Sequence, residues 1–144
     1  MSENMRFKVE AESENPTKVT VNARDYTFAI DEPEEHGGTG SAPNPVEYEL
    51  GALTGCFNVV AHLVAEEMGV ELESLEMEAE GELDPAKFQG EETGSRPGFK
   101  SITVNVDVES DADDEIIREL FEQVEERCPV RDNISHETPI NVDF

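Results

Sequence analysis

Two thiols, Cys56 and Cys128, stand 72 residues apart in a chain of 144. A free thiol with a pKa near 8.5 is only a few per cent thiolate at neutral pH, so thiol chemistry needs help from its surroundings. Cys128 precedes Pro129. Proline pushes the residue before it into an extended conformation and itself suits the first position of a helix. Cys128 is therefore expected to cap a short helical turn, whose positive end favours a thiolate. Cys56 lies in the middle of an apolar helical stretch, where a cysteine by default packs as a small hydrophobe and the helix dipole offers little. Local sequence thus points to Cys128 as the more acidic thiol. His36, His62 and His136 are the only histidines, and none stands in a CxxC or HxxxH setting. No metal site and no cofactor is expected. His62 is read as a core or interface histidine, and His36 and His136 as solvated. The carboxylates at Asp31-Glu32 and Glu34-Glu35 read as a solvated acidic loop.

The clearest element that could position these groups is a helix over roughly Val46–Met68. Asn44 is its N-cap, Pro45 its first residue, Glu47 completes a capping box and Gly69 ends it. Val46, Leu50, Leu53, Phe57, Val60 and Val64 form one apolar stripe. Gly51, Ala52 and Gly55 form a small-residue strip that would admit another backbone, so the helix is expected to be mostly buried. Before it, Arg6–Glu12, Lys18–Ala23 and Tyr26–Ile30 alternate as strands. Asp31–Asn44 is a Gly/Pro/Glu-rich loop whose Gly37-Gly38-Thr39-Gly40 lacks the flanks of a phosphate-binding loop.

After the helix, Leu75, Met77, Ala79, Gly81 and Leu83 alternate with glutamates. Ile102, Val104, Val106 and Val108 complete a long hairpin. A second helix is predicted from a Ser110-x-x-Asp113 capping box to about Arg127, and a last strand over Ile140–Phe144. The order β-β-β-α-β-β-α-β is that of an α+β domain with antiparallel sheet and two main helices, a single domain over residues 1–144.

Ten Lys+Arg against 35 Asp+Glu leave a net charge of −25, with 26 glutamates dispersed along the chain and only four lysines. Such a surface repels phosphate backbones and anionic lipid, which disfavours nucleic acid and membrane surfaces, and neither is expected as a partner. It also repels itself, unless salt near 1 M shortens the screening length to about 3 Å. The composition reads as adaptation to a salty cytoplasm, that of a halophilic archaeon. Met1–Glu10 lacks the apolar run of a signal peptide. Leu50–Ala65 is short for a membrane span and carries Thr54, Asn58 and His62. In a cytoplasmic chain, two cysteines are read as a reactive or metal-binding pair sooner than a structural disulfide.

The run Pro45-Val46-Glu47-Tyr48-Glu49-Leu50-Gly51-Ala52-Leu53-Thr54-Gly55-Cys56, with Gly37-Gly38 upstream and Arg127-Cys128-Pro129-Val130 downstream, resembles the OsmC/Ohr family of thiol-dependent peroxidases over essentially the whole chain. The resemblance implies an OsmC-like α+β fold and an intertwined homodimer with its sites completed at the interface. It also implies reduction of organic hydroperoxides or hydrogen peroxide, with electrons from an external dithiol or lipoyl-type reductant. In that family pattern Cys56 is the peroxidatic cysteine that becomes a sulfenic acid, and Cys128 the resolving cysteine that forms a disulfide with it. Arg24 matches the arginine that pairs with the thiolate, and Glu47 the acidic residue that steadies the arginine. A guanidinium is the simplest way to hold a thiolate in a chain this acidic. Phe57, next to Cys56, is placed for a wall of the substrate pocket.

One position departs from the pattern: Val46 stands where the Ohr-type subgroup carries glutamate, and Glu47 matches the OsmC-like subgroup instead. Two other readings therefore stand beside the peroxidase. One is an OsmC-like binding protein for a hydrophobic small molecule without peroxidase turnover, and the other a redox-inert dimer whose cysteines only pack. Which thiol is the acidic one is left open between local sequence, favouring Cys128, and the resemblance, favouring Cys56.

Overall fold

Alternation of apolar residues draws the first three strands together. In the computed structural model, which describes residues 2–144 and so leaves Met1 outside, β1 (Glu10–Ser13), β2 (Val19–Ala23) and β3 (Tyr26–Ile30) form an antiparallel sheet in that order. Val19 pairs with Ile30 and Val21 with Phe28, which brings apolar side chains to one face, and Val21 is buried there. A two-residue turn, Arg24–Asp25, joins β2 to β3, with Arg24 in the left-handed region at φ 55°. β1 is shorter than its alternation predicts. Glu10 already pairs with Asn22, and β2 ends one residue later, so residues 6–9 have no strand to pair with. Met5, Phe7 and Val9 are accordingly exposed.

By contact density the chain divides into two units, one up to Glu49 and one from Leu50 onward. In the first, the loop after β3 wraps around the carboxylate of Asp31, which is fully buried rather than solvated as expected. Asp31 accepts hydrogen bonds from the hydroxyls of Thr17 (2.8 Å), Ser41 (2.8 Å) and Thr39, and from the backbone N–H of Glu32 (2.8 Å). A buried carboxylate needs such partners to offset lost hydration. Gly38 has no room for a side chain, since a Cβ there would meet the Glu32 carbonyl oxygen at 1.9 Å. The glycines of this loop serve a tight wrap.

The helix α1 (Pro45–Met68) begins with the capping box read from the sequence. Asn44 N–H donates to Glu47 Oε1 (2.8 Å) and Glu47 N–H donates to Asn44 Oδ1 (2.9 Å). In its first turn Tyr48 donates to the carbonyl of Ala29 (2.7 Å) and sets its ring 5.5 Å from that of Phe28.

The second unit holds the rest of α1, the hairpin β4 (Ser74–Leu83) and β5 (Phe99–Glu109), α2 (Asp114–Arg127) and α3 (Pro129–Ser135). β4 and β5 pair antiparallel in the register Leu75↔Val108, Met77↔Val106, Ala79↔Val104. The apolar residues share one face, and Glu76, Glu78, Glu80 and Glu82 are exposed on the other. The core joins Leu53, Phe57, Val60, Ala61, Val64 and Ala65 of α1 to Leu120 and Val124 of α2 and to Cys128. Burying each Val, Leu or Phe side chain stabilises by about 1.5–3 kcal/mol.

Three expectations change here. α1 buries one face only; Ala52, Gly55, Val59, His62 and Leu63 are exposed on the other, so His62 is no core histidine. Among the described residues α1 is the one helix long and apolar enough to cross a membrane, and its buried face makes it the central helix of this core. α2 starts at Asp114 with Asp113 as its cap, because the Ser110 hydroxyl is occupied elsewhere, donating to the Glu71 carbonyl (2.6 Å) and accepting from Ala112 N–H. Residues 140–144 form no strand. Alternation alone cannot make one without a neighbour, and this segment pairs with neither sheet.

Candidate functional site

Cys56 sits at the border of the buried face of α1, half-buried and packed against the core cluster that includes Leu53, Phe57 and Val60. Cys128 lies at a corner. Proline cannot continue α2, so the helix ends at Arg127 and a new one starts at Pro129. Cys128 closes the first and opens the second: its N–H donates to the Val124 carbonyl (3.0 Å), and its sulfur accepts from the N–H of Arg131 (3.4 Å). The corner sets Cys128 against α1, where its thiol donates to the sulfur of Cys56 at 2.9 Å. Both are free thiols.

Capping geometry at Cys128 is as the sequence predicts, but it does not make the thiol acidic. The side chain is only 1% exposed. Burial, followed by the hydrogen bond it donates to Cys56, pushes its pKa up to about 11, and the N–H groups of Arg131 and Val130 offset only part of this. Desolvation outweighs the end of a seven-residue helix. Cys128 is the buried, protonated partner, and Cys56 the sulfur that meets solvent.

The other site residues are placed as follows. Arg24 lies in the first unit, its guanidinium 5.2 Å from the ring centre of Tyr26, with no carboxylate in ion-pair reach among the described residues. Glu47, in the same unit, is engaged in the capping box with Asn44, and no ion pair joins it to Arg24 among the described residues. Phe57 points into the core of the second unit, 6% exposed. His36 and His136 are exposed, the latter 3.3 Å from Asp132. No three His, Cys, Asp or Glu side chains gather as metal ligands among the described residues.

A pair that sequence reasoning missed adjoins the thiols. Arg127, immediately before Cys128, forks onto Glu67 of α1, with Nη1–Oε2 at 2.7 Å and Nη2–Oε1 at 3.1 Å. Arg131 reaches back to the Glu125 carbonyl (3.1 Å). The available signal was charge: two of only ten cations flank Cys128 in a chain of net −25.

A half-exposed thiol on one helix, touching a buried thiol at the corner of the next, within an α+β frame of two antiparallel sheets, marks a dithiol protein. The chain belongs to the OsmC-like protein family, whose pattern matches residues 38–143. It is 29% identical over 113 residues to the protein YmaD of Bacillus subtilis (strain 168), named as uncharacterized, covering 77% of this chain and 73% of that one. Among solved structures, an OsmC-like protein from Mycoplasma pneumoniae superposes with a TM-score of 0.79 at 19% identity, covering 92% of this chain and 89% of that one. An organic hydroperoxide resistance protein from Legionella pneumophila gives 0.65 at 23% identity, with 93% and 92% covered. A putative organic hydroperoxide resistance protein from Vibrio cholerae, with captopril bound in one of its active sites, gives 0.66 at 23% identity, with 94% and 88% covered. At these identities the structures establish the OsmC-like fold.

Proposed function

We propose that this protein is a thiol-dependent peroxidase that reduces organic hydroperoxides or hydrogen peroxide. The observation that carries the reading is the 2.9 Å contact between the sulfurs of Cys56 and Cys128. As a thiolate, Cys56 attacks the terminal peroxide oxygen. The O–O bond breaks, the alkoxide takes up a proton and leaves as an alcohol, and Cys56 becomes a sulfenic acid. Cys128 then bonds to the Cys56 sulfur, the S–O bond breaks, and the Cys128 proton leaves with the oxygen as water. The high proton affinity of Cys128 suits this order: it does not compete for oxidant, and it carries the proton that the departing hydroxide needs. An external dithiol, of the lipoyl type, returns two electrons and two protons.

Arg24 as the cation of the thiolate, and Glu47 as its support, enter by family resemblance alone. Homodimer formation is supported by the exposed apolar face of α1, where Val59 is 65% and Leu63 47% exposed beside Ala52 and Gly55. The net charge of −25 supports a salt-rich cytoplasm, which we infer to be that of a halophilic archaeon.

One equivalent of cumene hydroperoxide is expected to convert the reduced protein to a Cys56–Cys128 disulfide, lighter by two hydrogens in mass spectrometry. Unreacted thiols would overturn the proposal. Arg24→Gly is expected to slow this oxidation about tenfold or more, a loss of about 1.4 kcal/mol of transition-state stabilisation. The fold should survive, because glycine takes the left-handed conformation of residue 24 without steric cost.

A second reading is favoured by the engagement of Glu47 with Asn44 and by the absence of a carboxylate partner for Arg24 among the described residues. In it the fold holds a hydrophobic small molecule and Cys56 lines the site. A co-purified ligand in native mass spectrometry, with thiols indifferent to peroxide, would select it.

A further inference from the structure

Cys56 and Glu67 lie on the same helix, eleven residues or about 16 Å apart along its axis. Cys128 and Arg127 are neighbours at the corner between α2 and α3. The corner therefore touches α1 at two separated points, sulfur to sulfur at one and a two-pronged ion pair at the other. One contact alone would let the corner pivot about the sulfurs. Two contacts set both its height along α1 and its tilt.

We propose that Glu67 and Arg127 are positioning residues for the thiol pair, holding Cys128 in register with Cys56 so that the disulfide closes without rearrangement. The proposal rests on the dithiol reading of the site. A guanidinium–carboxylate fork constrains direction as well as distance, which a single lysine contact would not. Arg131 holds the other side of the corner through the Glu125 carbonyl, so the cations on both sides of Cys128 are tied down. Since Glu67 and Arg127 are both partly exposed, the pair adds little to global stability. Its effect belongs in the local equilibrium between dithiol and disulfide.

The test is that equilibrium in full-length protein at fixed salt, with reduced and oxidised glutathione as the couple and mass spectrometry as the readout. Two electrons pass from the Cys56 and Cys128 thiols to glutathione disulfide, whose two sulfurs leave as thiols carrying the two protons. Glu67→Gln and Arg127→Gln are each expected to weaken the protein disulfide about three- to fivefold, about 14 to 21 mV at 29.6 mV per decade, with thermal midpoints close to wild type. The exchanged pair Glu67→Arg with Arg127→Glu is expected to recover most of the loss. Single variants with the wild-type equilibrium constant, or a double variant no better than the singles, would overturn the positioning role. No hydroperoxide enters this measurement. A wild-type protein inert to peroxide would therefore overturn the peroxidase reading while the clamp is judged on its own result, and a wild type that forms no Cys56–Cys128 disulfide would overturn both.

Discussion

At the scale of the residue, Cys128 illustrates how two local effects compete. Helix-capping geometry and the N–H of Arg131 act to stabilise a thiolate, while burial and the neighbouring sulfur act against it, and the balance lies near pKa 11. A proton held more tightly in the folded state than in the unfolded one adds stability at low pH. That stability is complete below the ordinary thiol range and is lost as pH rises toward 11. Reduced wild-type protein is therefore expected to lose stability, on the order of 2 kcal/mol, between about pH 9 and pH 11. Denaturant titrations across that interval should show a flatter profile for Cys128→Ser. Equal slopes would mean that the Cys128 proton does not distinguish folded from unfolded chains.

At the scale of the element, the loop after β3 depends on one carboxylate. The Thr39 hydroxyl above all, then the Glu32 N–H and the hydroxyls of Thr17 and Ser41, hold the Asp31 carboxyl well below the usual range against the opposing effect of burial. A depressed carboxyl stabilises above its unfolded pKa and ceases to do so only as pH falls far into acid. Asp31→Asn places an amide N–H₂ group among hydrogen-bond donors and leaves donors unsatisfied, which is costly in a buried site. The amide of Ser41, which donates to Asp31 at 3.2 Å, is expected to exchange its hydrogen faster in the variant at neutral pH. Unchanged exchange would remove Asp31 as the organiser of the loop. The sequence marked this segment as a loop, but its charge pattern suggested a solvated carboxylate, because nothing local shows that three hydroxyls from either side converge on it.

At the scale of the whole molecule, repulsion sets the working conditions. The outer face of the hairpin carries Glu76, Glu78, Glu80 and Glu82, and Glu76 stands directly opposite Asp107 in the pairing, where like charges destabilise. Summed over a net charge of −25, this repulsion is screened over about 10 Å at 0.1 M salt and about 3 Å at 1 M. The urea midpoint is expected to rise steadily from low to molar KCl. A midpoint that is flat or falls with KCl would sever the acidic composition from salt tolerance.

The parts of this protein legible in its sequence are those governed by neighbours a few residues apart. These include the Asn44–Glu47 capping box, the exact span of β3, the alternation of β4 and β5, and the proline break that makes Cys128 a cap. Distance along the chain hid the rest. The end of β1 follows from where β2 turns, and the capping role expected of Ser110 was lost to the Glu71 carbonyl. Glu67 meets Arg127 across 60 residues, and Cys56 meets Cys128 across 72. Composition and motif could name the two cysteines as a pair, but the tight hold of Cys128 on its proton was decided by packing. Desolvation is a sum over everything that surrounds a group, and that sum exists only once the chain has closed around it.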